Sequence, residues 1–209
     1  MGGDMSAGKT VLAEWKAFCV VGLLMAGSCV LGMSPPRGQD SKPQAPLPAQ
    51  YAATAVGQAG VAAGKTFGMT VYVDEASSDG EDQELIGILK AKGQNGVVDA
   101  MEKMKDKGRV SPPGAVGTGM RFVRMRPNNK GGFHIVLATN RPISFPELYN
   151  GTRSTDYPIG IVVLDVDKDG KGTGSFAPVC KIKFNKKGEL EVEHYGQKPF
   201  RLANVYRQK

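Results

Sequence analysis

Apolar and polar residues alternate along most of the second half of the chain. Six segments between residues 119 and 207 show this two-residue period, and an earlier segment at 66–74 shows it too. Alternation places one side of an extended chain in a core and the other in solvent, so each segment is predicted as a strand. The six later segments are 119–127, 131–140, 158–167, 172–184, 188–196 and 199–207. Most connections between them are short and rich in Gly, Asn and Lys, which favours hairpins and antiparallel pairing.

Two stretches between the first strand and the others have a helical period instead. In 81–93 the apolar residues form one stripe, and Ser78 and Glu81 have capping-box spacing. In 95–108 Val97, Met101 and Met104 recur at helical intervals, and Gly93 and Gly108 are predicted stops. The stripe of the first stretch consists of Leu85, Ile86, Ile88 and Leu89. Together the two stretches predict a helical hairpin with one apolar side.

These patterns combine into one predicted domain, residues 65–209. The expected fold class is α+β, with a mainly antiparallel sheet of six to seven strands. One face of the sheet is solvated, and the two-helix hairpin packs on the other.

The N-terminus has the layout of an export signal. Lys9 and Lys16 precede an apolar run at 17–33, after which the chain turns polar and proline-rich. Small residues stand just before Cys29, so residues 1–33 are predicted to be either a cleaved signal peptide or a lipoprotein leader acylated at Cys29. The expected location is the periplasm, the exterior, or a membrane reached only through the leader or its lipid.

Residues 34–64 are predicted to be a disordered linker. They contain five prolines among Gln, Ala and Gly and hardly any large apolar residue. Such a composition does not bury enough surface to offset the entropy lost on ordering.

The formal net charge of +7 favours an acidic partner, such as lipid head groups, anionic polysaccharide or nucleic acid. Nucleic acid is not expected for an exported domain, and the basic segment around Arg121, Arg124 and Arg126 offers Phe122 as its only stacking aromatic. These arginines are interpreted as solvated charges that discourage aggregation at a strand edge.

Asp165, Asp167 and Asp169, followed by Gly170, resemble the start of a calcium-binding loop. The twelfth position is Phe176, which cannot ligate a metal, and the preceding residues have strand rather than helix patterning. A β-hairpin turn explains the same residues, so the three aspartates remain only a weak calcium candidate.

The long connection at 140–160 is the candidate binding loop. Binding groups favour loops held on a rigid scaffold, and this one concentrates charged and aromatic residues. A carboxylate there can act as an acid or base, or it can simply pair with an arginine and order the loop. The candidate residues are Arg141, Glu147, Tyr149, Arg153, Asp156 and Tyr157.

No motif points to a cofactor, a metal or a catalytic residue. The two histidines and Cys180 lack zinc-site spacing, and Cys180 lies among alternating apolar residues where a buried thiol is expected. We therefore expect no cofactor.

The segments RSTDYPIGIVVLDVDKDGKGTG, residues 153–174, and YGQKPFRLANV, residues 195–205, carry a resemblance. From about Leu85 onward the chain resembles a group of exported bacterial proteins with no assigned activity. The resemblance implies export and a similar domain boundary, but no substrate. The predicted function is a non-enzymatic envelope domain that binds a protein partner or a polyanion; the alternative is a hydrolase-like enzyme that uses the 140–160 loop.

Overall fold

The computed structural model describes residues 9–11, 46–59, 62–143, 156–194 and 198–208. They form one helix and eleven strands, numbered here in chain order. The helix is α1, Asp79–Glu102. The strands are β1 Lys9–Val11, β2 Ala49–Val56, β3 Thr66–Val73, β4 Gly108–Ser111, β5 Thr118–Met120, β6 Phe122–Pro127, β7 Phe133–Thr139, β8 Ile159–Val166, β9 Lys171–Phe184, β10 Leu190–His194 and β11 Phe200–Gln208.

The strands form a sheet that nearly closes on itself. Nine of them pair in the order β5-β4-β3-β2-β11-β9-β8-β7-β6, and every pairing is antiparallel. The two ends of this path, β5 and β6, are separated in the chain only by Arg121, whose backbone N–H donates to the carbonyl of Ala138 in β7 (3.0 Å). The second half of β9 pairs with β10, which pairs with β1.

The nearly closed sheet forms a barrel. Side chains from all nine strands of the path fill its interior. At its centre three phenylalanine rings meet: Phe67 lies edge-on to both Phe176 and Phe200, with ring centroids 6.5 Å and 5.4 Å away. Small alanines from β2 and large residues from the other strands complete this core, which a single, nearly closed sheet shields from water.

A second core lies between α1 and the outer surface of β6 to β10. Leu89, Val97 and Met101 of α1 pack against strand residues that include Ile159 and Ile161 of β8. Because β8 is covered on both faces, its sequence is a continuous apolar run rather than an alternating one.

The predicted fold class is wrong in its architecture. The prediction had six to seven strands with a two-helix hairpin on one face, whereas the described residues form an eleven-stranded, nearly closed antiparallel sheet with a single helix. The predicted strand 119–127 is split at Arg121, so that β5 pairs with β4 and β6 pairs with β7. Alternation along one strand distinguishes two sides but does not show that the sheet curves into a barrel.

The two predicted helices are one element. Gly93 alone has non-helical dihedral angles within α1 (φ 68°, ψ −166°), which makes a kink. A helical hairpin needs a connection of about two to five residues, and one glycine does not provide it. The capping box is confirmed: the Ser78 hydroxyl accepts from the N–H of Glu81 (3.2 Å), and the Glu81 carboxylate accepts from the N–H of Ser78 (2.7 Å).

The predicted linker 34–64 contains a central strand of the barrel, so the predicted domain start at residue 65 is also wrong. Strand β2 pairs with β3 on one side and with β11 on the other. Its inward residues are Ala49, Tyr51, Ala53 and Ala55, all buried. The two-residue period is present in β2, but alanine is too small to make it conspicuous.

Three residues of the predicted leader, Lys9–Val11, pair with β10. The rest of residues 1–33, including the lipidation candidate Cys29, lies outside the described residues. In the part of the chain that the structure describes, no helix is both long and apolar enough to cross a membrane. Export and lipidation therefore stay predictions.

Glycine is required in β9 where β8 lies very close. A Cβ at Gly174 would overlap the carbonyl oxygen of Val163, whereas a Cβ at Gly87 on the exposed side of α1 would meet nothing within 4 Å. We expect Gly174→Ala to lower the free energy of unfolding by about 1–3 kcal/mol through overpacking. Gly87→Ala should raise it by about 0.5–1 kcal/mol, because alanine loses less entropy in a helix. Urea unfolding measures both, and equal effects of the two substitutions would contradict the close approach.

Candidate functional site

The predicted binding loop is described only at its two ends. Residues 144–155 lie outside the described residues, and so do the candidates Glu147, Tyr149 and Arg153. Arg141 and Asp156 are exposed and Tyr157 is half-buried. The role of this loop therefore stays a prediction.

The described C-terminal end of the loop contacts α1 and β10. The Tyr157 hydroxyl donates to the Glu193 carboxylate (2.8 Å), which also pairs with the Lys183 ammonium (2.7 Å). These two hydrogen bonds, that from Lys183 foremost, hold the pKa of Glu193 below its ordinary value. The Gln94 amide N–H donates to the carbonyl of Asp156 (2.8 Å), so the same end of the loop is also tied to the kink of α1.

Two of the three aspartates of the calcium candidate, Asp167 and Asp169, lie in the hairpin turn between β8 and β9. Asp167 accepts from the backbone N–H groups of Asp169 and Lys171 (both 2.9 Å), and Gly170 has the positive φ of 74° that such a turn favours. Asp165 instead accepts from Asn128 and Lys130 in the neighbouring β6–β7 turn. Within the described ranges, no group of three or more His, Cys, Asp or Glu side chains could hold a metal ion.

Cys180 and His194 face each other across β9 and β10, and both are buried. The Cys180 thiol donates to the carbonyl of Ile159 (3.3 Å), and burial raises its pKa. Burial likewise lowers the pKa of His194, which favours a neutral imidazole. A thiol that is buried and protonated is a poor nucleophile, so this pair serves packing.

The basic residues of β6 anchor the start of α1. Arg124 pairs with Asp79 (2.6 Å), and both Arg124 and Arg126 lie within 4 Å of the fully buried carboxylate of Asp82. Burial raises the pKa of Asp82, against the opposing charges of the two arginines. Arg121 pairs with Asp106 beyond the end of α1 (3.1 Å). The interpretation of these arginines as solvated edge charges is therefore wrong.

The remaining outer surface of the barrel is not covered by α1. Outward side chains of β2, β3, β11 and the first half of β9 form what we call the open face, and each is half-buried or exposed. Most of these side chains are small. The open face consists of Gln50, Ala52, Thr54, Gly68, Thr70, Tyr72, Lys171, Thr173, Ser175, Arg201, Ala203 and Tyr206.

A β-bulge in β11 directs Tyr206 onto the open face. Leu202 and Val205 both point into the barrel, although three positions separate them, because the pairing shifts by one residue between them. Asn204 in this bulge has a φ of 51°. Without the extra residue Tyr206 would point inward. It is instead 48% exposed and lies directly opposite Lys171.

Two cations flank the bulge. Arg201 pairs in register with Ser175, four residues from Lys171 along β9, so the two cations lie about 13 Å apart along the strand direction. Lys171, Arg201, Ala203 and Tyr206 line a shallow depression of about 500 Å³. Sequence reasoning missed this site. The sequence does contain a signal for it, because β2, β3, β4, β9 and β11 contain no Asp or Glu.

No protein-family model, curated protein or solved structure matches the chain. The resemblance to exported bacterial proteins stays a prediction, and the function must be inferred from the chain's own residues.

Proposed function

We propose that the protein is a non-enzymatic exported domain of the bacterial envelope that binds a polyanion through the open face. The observation that carries the proposal is the exposed pair Lys171 and Arg201 on a face whose four strands contain no Asp or Glu. The predicted leader supports the exported location.

The electrostatics of the open face favour an anionic ligand. No strand that contributes to the face contains an acidic residue, so the fields of Lys171 and Arg201 add rather than cancel. Among the described residues, neither cation has a carboxylate within 4 Å, in contrast to Arg121 and Lys183. Sulfate, phosphate or carboxylate groups can therefore bind without first displacing an internal partner.

The shape of the open face suits an extended polymer. Ala52, Thr54, Thr70 and Ala203 are small and leave a low surface over which a chain can pass closely. The half-exposed ring of Tyr206 provides a flat apolar surface beside Lys171. Charges about 13 Å apart match a ligand with repeated anionic groups better than a single small anion.

The proposed contact is the open face rather than the 140–160 loop. The described end of that loop contacts Gln94 of α1 and Glu193 of β10, neither of which belongs to the open face. The hydrolase alternative gains no support from the described loop residues, because Asp156 is exposed and Tyr157 is engaged with Glu193.

Charge reversal on the open face tests the proposal. We expect the double variant Lys171→Glu/Arg201→Glu to bind fluorescent dextran sulfate at least tenfold more weakly than the wild type, since a charge-assisted contact is worth about 1.5–3 kcal/mol. The matched control is Lys186→Glu/Lys187→Glu, which makes the same change of net charge in the exposed β9–β10 turn. Binding is measured by fluorescence anisotropy at several salt concentrations, with uncharged dextran as a second control.

Equal losses in the two double variants would show that only net charge matters and would refute the assignment to the open face. No binding of dextran sulfate by the wild type at low salt would refute polyanion binding itself. A specific site predicts that Tyr206→Ala also weakens binding without a change of charge.

A further inference from the structure

A second candidate site lies beneath α1, on the other side of the barrel. A cleft of about 80 Å³ separates the helix from β6, β7, β8, β9 and β10. Its lining includes Leu85, Ile86 and Leu89 of α1, Ala138 of β7, and Ile182 of β9. Among the described residues that line the cleft, Asp82 is the only charged one, and its carboxylate is directed to Arg124 and Arg126, so this wall is almost entirely hydrocarbon.

Such a cleft favours an apolar guest over water. A water molecule needs two to four polar partners to occupy a cavity, and the described wall offers only the Asp82 carboxylate, which faces two arginines. The volume is roughly half of the ~150 Å³ that accommodates a benzene ring in another protein. A narrow alkyl chain therefore fits better than a ring.

The cleft opens among large apolar side chains that the fold leaves partly uncovered. Leu85, Ile86, Ile88, Ile182 and Phe184 are each only half-buried, although each packs beside the second core or lines the cleft. A chain that continues outward from the cleft would cover them and remove more apolar surface from water.

The positive charge at this opening favours a guest with an anionic head group. The Lys90 ammonium lies 5.6 Å from the centre of the Phe184 ring. No acidic residue stands three or four positions away from Lys90 on α1, and the nearby Lys183 is already paired with Glu193. An anionic head group at the mouth would meet Lys90 while its tail enters the cleft.

We propose that the cleft beneath α1 binds a single-chain anionic amphiphile of the fatty acid class, with its alkyl chain among the apolar residues and its carboxylate at Lys90. The kink at Gly93 divides the helix above the cleft, and a change of dihedral angles at this one residue would move the first half of α1 relative to the second. This site is independent of the open face.

The test uses the full chain and sodium dodecanoate below its micelle concentration. Methyl NMR is expected to show saturable shifts of Leu85, Leu89 and Ile182. Ala138→Leu fills the cleft and should weaken binding at least tenfold, whereas the matched control Ala52→Leu on the open face should leave it unchanged. Circular dichroism checks that each variant is folded. If Ala138→Leu is not folded, Ile86→Phe replaces it and fills the cleft from the helix side.

The head group is tested separately. Lys90→Glu should weaken dodecanoate binding by about fivefold or more, and the wild type should prefer dodecanoate to dodecyltrimethylammonium. If dodecanoate causes the same methyl shifts in a folded cleft-filling variant as in the wild type, the cleft is not the binding site. Equal binding of the cationic amphiphile would overturn the assignment of an anionic guest.

Discussion

Removal of residues 1–64 is expected to abolish cooperative folding, whereas removal of residues 1–45 is expected to preserve it. The longer deletion eliminates β2, which joins β3 to β11 in the middle of the barrel wall. It leaves the ladder hydrogen bonds of both neighbours unmade and opens the interior beside Phe67 and Phe200. The shorter deletion keeps all nine strands of the nearly closed path.

Thermal melts followed by far-ultraviolet circular dichroism distinguish the two deletions. The chain from residue 46 should show one sigmoidal transition, and the chain from residue 65 should show none. A cooperative transition in the chain from residue 65 would mean that residues 34–64 are a linker after all and that β2 is not required.

Phe176→Ala is expected to lower the free energy of unfolding by about 3–5 kcal/mol. Phe176 is fully buried in the barrel and contacts the rings of Phe67 and Phe200, with centroids 6.5 Å and 5.8 Å away. Truncation leaves a cavity in a closed sheet whose strands are held by their ladders and cannot readily collapse into it.

The matched control for Phe176→Ala is Phe184→Ala. Phe184 is the same residue type on the same strand, but it is half-buried at the mouth of the cleft beneath α1. We expect it to cost about 1 kcal/mol. Urea unfolding measures both variants, and equal losses would contradict the placement of Phe176 at the centre of the barrel.

Patterns that involve large side chains or specific turn chemistry could be recognised from the sequence. The capping box of Ser78 and Glu81, the hairpin at Gly170 and the buried thiol of Cys180 are all present in the structure. Each depends on residues close in sequence or on the alternation within one strand.

The same reasoning failed where small residues carry the pattern. Strand β2 alternates in the order expected of a strand, but three of its four inward residues are alanine. Alanine suits positions where a barrel interior is already filled by large side chains from other strands, but its small apolar surface is equally typical of a linker. The local pattern predicts a helix stop at Gly93, but packing against residues far away in the chain keeps both halves of α1 on the sheet.

The two candidate sites also depend on contacts between residues that are far apart in the sequence. The open face depends on a bulge that turns Tyr206 outward and on a closed topology that brings β9 and β11 beside β2 and β3. The cleft exists only because α1 lies across five strands without filling the space beneath it. Neither feature is encoded in a contiguous stretch of residues.

The sequence by itself determined the antiparallel character of the later strands, their turns and the start of α1, because these depend on interactions within a few residues or between consecutive strands. Only the tertiary structure decided that the sheet closes, that β2 belongs to it, and which cations stay exposed. Closure joins strands far apart in the chain, and the burial of a charge depends on what packs over it. Arg124 and Arg201 both lie in alternating strands, but α1 covers the first and leaves the second in solvent.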